Sequence, residues 1–385
     1  MKVTRDLSQV TIGILGGGQL ARMTVEAASR LNFKVAILEA EAESPAGQIA
    51  AFEIVGHWSE LEALEKLVQA CEVITLENEF VDAEVLQRLE ASGRPVYPSA
   101  LTLALVQDKA RQKQTLAGAG LPVPAFAAVS SPEEVLSFGA NYGWPLVLKA
   151  RRNGYDGRGN YTLRLPTEIA EGFERLGWPE RTLLVEQYVP FVRELAVMVV
   201  RGKEGATGVY PVVETIQKHH ICHSVTAPAE LAPEIAAEAT RIARQAIEAI
   251  AGVGVFGVEL FLTEANEVLI NELAPRPHNS GHYTIEACRT SQYENHLRAV
   301  LGLPLGATDL IAPAAMVNLL GVKAGRAVPH GLEEALAVPG ANVHLYAKAL
   351  SRPGRKMGHI TALAPGGSPA DALALAQKAA SLIEF

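Results

Sequence analysis

One run carries most of the chemistry this chain could perform: Asn271-Glu272-Leu273-Ala274-Pro275-Arg276-Pro277-His278-Asn279-Ser280-Gly281-His282. A carboxylate, a guanidinium and two imidazoles follow directly on the apolar residues 268–270, which read as a strand end. A second expected strand, residues 255–261, places Glu259 among apolar neighbours. Carboxylates on strands are costly to bury unless they are paired or bind a cation. Glu259 and Glu272 therefore read as two oxygen ligands for a hard divalent ion, and Mg²⁺ completes its shell with waters and substrate phosphates. The alternative, two acids solvated at a sheet edge, leaves the dense polar run that follows unexplained.

Other segments suit phosphate. Lys149 ends an apolar strand, and the loop Gly154-Tyr155-Asp156-Gly157-Arg158-Gly159-Asn160 follows it. Alternating glycines let backbone N–H groups close over phosphate oxygens, and Arg158 adds charge. The loop lacks the Gly-Lys-Ser/Thr ending of a Walker motif, and a surface hairpin is its bland alternative. Glu186-Gln187-Tyr188-Val189 can present backbone groups to an adenine edge, with Glu186 accepting from the amino group; a solvated strand end would look the same. Near the C-terminal end, Tyr346-Ala347-Lys348 and Arg352-Pro353-Gly354-Arg355-Lys356 form a basic cluster around a Pro-Gly turn. Such a cluster is either a solvated face or a phosphate site. Finally, Gly16-x-Gly18-x-x-Ala21 with Glu39 downstream matches a dinucleotide fingerprint and, taken alone, favours NAD. The same turn also packs any strand against any helix.

These groups need a scaffold. Residues 10–15, the glycine turn, a helical stretch to residue 30 and a strand at 35–38 open the chain as a βαβ unit. A buried strand at 73–76 ends in Glu77-Asn78-Glu79, with helices expected at 60–69 and 83–91. A stiff Pro122-Val123-Pro124 step marks a connector. Strands are expected at 145–149, 182–185 and 194–200, and helices at 232–251 and 284–300. The 385 residues, 49% hydrophobic, suffice for two or three domains. No apolar run approaches the ~20 residues of a membrane span, and the opening lacks a signal-peptide cleavage pattern. The three cysteines are few, odd in number and scattered, which points to a reducing compartment and against zinc. A formal charge of −8 disfavours a general nucleic-acid binder without disfavouring an anionic small substrate.

Together these runs resemble the ATP-grasp superfamily, and most closely its N5-carboxyaminoimidazole ribonucleotide synthetase family of purine biosynthesis. The segments that carry the resemblance are Gly13-Ile14-Leu15-Gly16-Gly17-Gly18-Gln19-Leu20, Thr75-Leu76-Glu77-Asn78-Glu79, the loop from Gly154, Tyr210-Pro211 with Glu214, and the run from Asn271 to His282. Ser291-Gln292, His296-Leu297-Arg298-Ala299 and the stretch from Arg352 to His359 also match. The resemblance implies an α/β fold with a Rossmann-like pre-ATP-grasp domain (1–106), a two-lobed ATP-grasp domain (107–310, lid about 122–190) and a small C-terminal domain (311–385).

It implies ATP-dependent joining of bicarbonate to the amine of 5-aminoimidazole ribonucleotide through carboxyphosphate, in a cytoplasmic homodimer with no nucleic-acid or membrane partner. The metal would sit on Glu259 and Glu272, the phosphates on Lys149 and the glycine loop, and the adenosine on Glu186, Gln187, Tyr188, Val189 and Glu194. Lys109, Gln217 and Asn271 complete the nucleotide set. Arg276, His278 and Asn279 would line the bicarbonate pocket with Tyr155 and Asp156, and Asp156 is a candidate to take the amine proton. Lys348 and Arg355 would hold the ribonucleotide phosphate, helped by Gly18, Gln19 and Leu20, with Glu77 at the imidazole or ribose. Two positions depart from the family pattern: Gln217 replaces a usual histidine, and Lys109 a frequent arginine, which keeps the charge and loses the planar fork. Other ATP-grasp ligases, of the formate-dependent glycinamide ribonucleotide transformylase or biotin carboxylase type, are the nearest alternatives. An NAD oxidoreductase and a non-catalytic nucleotide-binding protein are more distant ones.

Overall fold

The computed structural model of the chain describes residues 10–154, 159–218 and 220–385. β1 (Thr11–Leu15) is buried along its whole length, as a central parallel strand must be. α1 (Gln19–Arg30), β2 (Lys34–Glu39), β3 (Phe52–Val55), α2 (Leu61–Ala70), β4 (Val73–Leu76), α3 (Ala83–Ala91) and α4 (Ala100–Gln107) follow. The strands form a parallel sheet in the order β3-β2-β1-β4. The glycine turn after β1 and residues 77–79 after β4 lie at neighbouring carboxyl ends of this sheet, the usual place for a ligand crevice.

α5 (Lys109–Gly118) is capped by Asp108, which accepts from Ala110 N and Arg111 N. A small antiparallel lobe comes next: β5 (Phe126–Val129), α6 (Pro132–Tyr142), β6 (Leu146–Ala150), β7 (Asn160–Leu163), α7 (Ile169–Arg175) and β8 (Leu183–Gln187), paired β5-β8-β6-β7. Phe138, Leu146, Leu148, Phe173 and Val185 fill its core.

The second sheet starts with β9 (Phe191–Arg201), β10 (Thr207–Val209), β11 (Val213–Lys218) and β12 (Ile221–Ala227). After α8 (Pro233–Ala249) come β13 (Gly254–Thr263) and β14 (Val268–Ala274). α8 shows why its sequence is helical: Ala239, Ile242, Ala243, Ala246 and Ile247 recur at helical spacing, are buried, and meet Val197, Val199, Phe256 and Val258. Each isoleucine buried there stabilises the unit by roughly 1.5–3 kcal/mol.

The expected helix over 284–300 is two helices, α9 (Thr284–Ala287) and α10 (Gln292–Leu301). Cys288 is extended and bridges Leu310, and Ser291 starts α10 afresh by accepting from Glu294 N. The Ser291-x-x-Glu294 spacing was the legible signal for that second start.

The remainder supplies β15 (Ala314–Leu320), β16 (Gly325–Arg326), α11 (Leu332–Leu336), β17 (Ala341–Leu345), β18 (Leu350–Ser351), β19 (Lys356–Leu363) and α12 (Pro369–Ala380). β15 pairs with β12, so one antiparallel sheet, β14-β13-β9-β11-β12-β15-β19-β17, takes strands from both sides of the expected 310/311 boundary. α10 packs against the first sheet through Tyr293, Leu297 and Val300, which joins the amino-terminal unit to the large sheet.

Candidate active site

Glu259 and Glu272 are register partners across β13 and β14. The register then slips, so that Leu260 pairs with Ile270 and Asn271 is the extra residue of a bulge. Simple alternation would send Asn271 to the opposite face from Glu272. The bulge instead brings its amide to Glu259 Oε2 at 3.4 Å and to Lys149 Nζ at 3.4 Å. Lys109, the first residue of α5, forms an ion pair with Glu272. Burial and the neighbouring Glu272 push the Glu259 carboxyl well up. Burial acts on Glu272 in the same sense, but Lys109 outweighs it and holds that carboxyl well down.

Behind this pair lies a buried triad. Glu186 of β8 meets Lys149 of β6 at 2.8 Å and Lys113 of α5 at 3.3 Å. Burial lowers Lys113 to about 8, even with Glu186 opposing it. Two cations on one carboxylate leave this floor positive, as a polyphosphate requires. Arg151 grips Asp108 with two hydrogen bonds, at 3.0 and 2.6 Å, and its carbonyl accepts from Lys109 N. The base of the glycine loop is thereby pinned to the start of α5.

The polar run after β14 is held from three sides. Arg276 makes a two-pronged ion pair with Glu79, from the end of β4. Gln292 clasps the His278 backbone, accepting from its N–H at 3.0 Å and donating to its carbonyl at 2.8 Å. His278 Nδ1 lies 2.8 Å from Ser280 Oγ and 3.4 Å from Ser280 N, while Nε2 faces Glu259 at 3.4 Å. Burial, then Arg276, lowers His278 to about 3, so the imidazole is neutral.

Two cavities meet at this run. One, of about 220 Å³, is lined by Lys109, Lys149, Gly154, Asn160, Glu194, Gln217, Glu259, Asn271 and Glu272. The other, of about 530 Å³, is lined by Gln19, Leu20, Glu77, Lys348, Arg352 and Arg355. Glu79, Phe80, Arg276, His278, Asn279 and Lys356 line both. Lys348 donates to Lys356 O at 2.7 Å, and burial, then Arg355, lowers its ammonium to about 7. Arg355 donates to Leu350 O at 2.7 Å.

Several expected residues fall elsewhere. Tyr155, Asp156, Gly157 and Arg158 lie outside the described residues, although Gly154, Gly159 and Asn160 flank them. The Glu186 carboxylate meets two lysines, and its Oε1 has no hydrogen-bond partner among the described residues. Gln187, Tyr188 and Val189 instead line a separate cleft of about 560 Å³ with Thr263 and Leu269. Asn279 exchanges amide hydrogen bonds with Asn318, at 3.0 and 2.7 Å, and keeps only one N–H for the cavity.

The glycine turn differs most. Glu77 accepts from Gly18 N at 2.8 Å and Ala21 N at 3.0 Å, while Glu39 accepts from Gly17 N at 2.8 Å. The Gly17, Gly18 and Ala21 N–H groups are thus taken by carboxylates, so the Gly18 N–H is held by Glu77 rather than offered to a substrate phosphate and the NAD reading is weakened, while Gln19 and Leu20 line the second cavity. Glu39, the expected ribose acid, is turned onto the turn itself. Sequence reading missed Glu79, Lys113 and Gln292 as site residues. The end of β4 and the capping pattern of α10 were the only hints.

Family models match three stretches: a ribonucleotide synthetase preATP-grasp domain over residues 9–107, an ATP-grasp domain over 114–293 and a phosphoribosylaminoimidazole carboxylase C-terminal domain over 314–371. The phosphoribosylaminoimidazole carboxylase of Schizosaccharomyces pombe is 46% identical over 91% of this chain, which spans 64% of that longer protein. The N5-carboxyaminoimidazole ribonucleotide synthase of Synechococcus elongatus is 41% identical, covering 97% of this chain and 94% of its own. Among solved structures, the Aspergillus clavatus N5-carboxyaminoimidazole synthase in complex with ADP and 5-aminoimidazole ribonucleotide is 40% identical, with a TM-score of 0.89 over 98% of this chain and 99% of that one. The Thermotoga maritima synthetase is also 40% identical, with a TM-score of 0.87 over 97% and 99%. Similarity of this extent, running through all three units and both cavities, makes the chain a member of the N5-carboxyaminoimidazole ribonucleotide synthase family of ATP-grasp proteins.

Proposed function

We propose that the chain uses ATP to join bicarbonate to the exocyclic amine of 5-aminoimidazole ribonucleotide, giving N5-carboxyaminoimidazole ribonucleotide, ADP and phosphate. The observation that carries this reading is the meeting of two cavities at Glu79, Arg276, His278 and Asn279. One cavity has a cationic floor and a carboxylate pair, as ATP demands. The other has Lys348, Arg352 and Arg355, as a ribonucleotide monophosphate demands. The group to be transferred must sit between them.

Bicarbonate is a poor electrophile. In the proposed sequence its oxygen attacks the γ-phosphorus, ADP leaves, and the carboxyphosphate formed breaks into CO₂ and phosphate beside the amine. The amine nitrogen bonds to that carbon and gives up a proton. Arg276, oriented by Glu79, neutralises the bicarbonate oxygens, and the neutral His278 is a hydrogen-bond partner for them rather than an acid. Lys109 and Lys149 position the phosphates. Asp156 keeps its assignment, by resemblance, as the group that takes the amine proton.

Mg²⁺ belongs to this reading. Glu259 and Glu272 face each other with one lysine between them, and burial of two such carboxyls is relieved by a hard cation. Among the described residues no group of three His, Cys, Asp or Glu forms a metal cluster, which suits an ion that draws its remaining ligands from water and phosphate. Glu259, Glu272 and Asn271 would hold it, and it would neutralise phosphate charge.

A cytoplasmic homodimer is also proposed. Three scattered cysteines are in keeping with a reducing compartment, and among the described residues no helix is long and apolar enough to cross a membrane. Family resemblance alone supports the dimer; light scattering should find a particle of twice the chain mass. The reaction is tested by phosphate release from ATP with bicarbonate, with and without 5-aminoimidazole ribonucleotide. Release should rise on adding the ribonucleotide and match its consumption. Release indifferent to it, or an NAD-dependent redox change instead, would overturn the reading.

A further inference from the structure

Behind the bicarbonate run, three polar pairs join one helical face to one row of the large sheet. Asn279, in the short 3₁₀ turn Asn279–Gly281, is followed at i+3 by His282 and at i+7 by Glu286 in α9, so the three share a face. Asn318, His359 and His344 are successive register partners on β15, β19 and β17. The two rows meet residue for residue. Asn279 and Asn318 exchange amide hydrogen bonds, the His282 and His359 rings lie 4.8 Å apart, and His344 Nε2 meets Glu286 at 2.7 Å.

The row is locked from its edges. Tyr293 OH lies 2.8 Å from His282 Nδ1, and Tyr346 OH 2.9 Å from His359 Nδ1. His359 and His344 stack at 4.4 Å with their planes 6° apart. His282 and His359 are fully buried, and burial holds both far below the ordinary imidazole value. Among the described residues, His282 Nε2, His359 Nε2 and Glu286 Oε2 have no hydrogen-bond partner. An apolar seam would join the same elements without orphaning three buried polar atoms. Directional pairs specify one register, which greasy packing does not.

The two sides of the seam carry the two halves of the proposed chemistry. Asn279 adjoins His278 in the run that lines both cavities. Tyr346 stands two residues before Lys348, and His359 lies on the strand that begins at Lys356. A shift of one row against the other would therefore move the acceptor-holding loop relative to the bicarbonate pocket.

We propose that the row Asn318–His359–His344, packed on Asn279, His282 and Glu286, is a positioning device that keeps ATP cleavage coupled to amine carboxylation. This rests on the reaction proposed above. None of the three row residues lines either cavity, so loss of the row should uncouple the halves rather than abolish either one.

The test measures, on the full chain, ATP hydrolysed and ribonucleotide consumed in the same reaction, with the Kd for ADP alongside. His359→Leu and Asn318→Leu should each lower the ratio of ribonucleotide consumed to ATP split at least about fivefold, with the ADP Kd within about twofold of wild type. His359→Asn, which keeps a partner for Tyr346, should recover a substantial part of the ratio; damage confined to stability would not follow that order. If His359→Leu does not fold, His344→Leu at the half-buried end of the row provides the same reading. Wild-type-like ratios in the folded variants overturn the inference while leaving the reaction intact. A wild-type chain that consumes no ribonucleotide overturns the reaction, and this inference with it.

Discussion

Glu259 and Glu272 stand directly opposite each other on neighbouring antiparallel strands, yet only Glu272 is paired with Lys109. Like charges in such register repel, and burial sharpens the repulsion. The pair divides the labour: Glu272 is a fixed anion, and Glu259 holds a proton more readily than an ordinary glutamate. The proposed divalent cation would convert that conflict into a binding site.

Glu272→Gln tests this directly. The amide keeps the shape, removes one anionic ligand and leaves Lys109 without its partner. ATP turnover should fall by more than about 10²-fold, while near-ultraviolet circular dichroism stays that of the wild type. Near-normal turnover in a folded variant would sink the metal assignment.

Glu79 and Arg276 lie 197 positions apart in the chain and meet through both prongs of the guanidinium. Glu79→Gln should loosen that grip without touching the ATP floor. Initial rates measured against bicarbonate at saturating ATP should show kcat/KM for bicarbonate at least about tenfold lower. The Kd for ADP should stay within about twofold. Equal losses for both ligands would instead mean that Glu79 supports the fold.

Lys348 yields a pH prediction. Burial, then Arg355, lowers its ammonium to about 7, so at pH 8 it is mostly neutral. A ribonucleotide phosphate is already dianionic there, with a second pKa of about 6, and a dianion beside Lys348 favours its charged form. Binding at pH 8 should therefore take up a proton, and affinity should fall as pH rises above 7. The stability sign is separate: the unfolded lysine keeps its proton up to about 10.4, so this group's penalty is full below pH 7 and fades as pH rises through that window. Titration calorimetry in buffers of different ionisation enthalpy reads the proton count. Zero uptake in the wild type, or the same uptake in Lys348→Met, would remove Lys348 from the phosphate site.

How much of this was legible beforehand depended on range. Glu259 and Glu272 stood out because an acid interrupts an apolar strand, a pattern visible within ten residues. The basic turn around Pro353-Gly354 was visible for the same reason. The Glu79–Arg276 pair was not, because nothing local to either residue names its partner. Lys113 was hidden because a lysine on an otherwise polar helix looks like any solvated one, although it is almost fully buried here. Asn271 reached the site through a bulge, which strict alternation cannot anticipate. The first glycine turn misled in the opposite sense: its local pattern was faithful to a dinucleotide cradle, and the contradiction came from Glu77, 59 positions away.

That carboxylate at the head of α1 has a consequence for selectivity. The proposed enzyme must hold two nucleotides at once, and both carry a ribose and phosphate. A cradle with bare amides would welcome either. With its Gly18 and Ala21 amides already given to Glu77, the amino-terminal unit offers a phosphate fewer donors than a bare cradle would, and the proposed place for the acceptor's phosphate is across the cleft at Lys348, Arg352 and Arg355. In the proposed reading the acceptor would then lie with its base toward Glu77 and its phosphate toward the basic turn, and a second nucleotide would meet a carboxylate where a bare cradle offers amides.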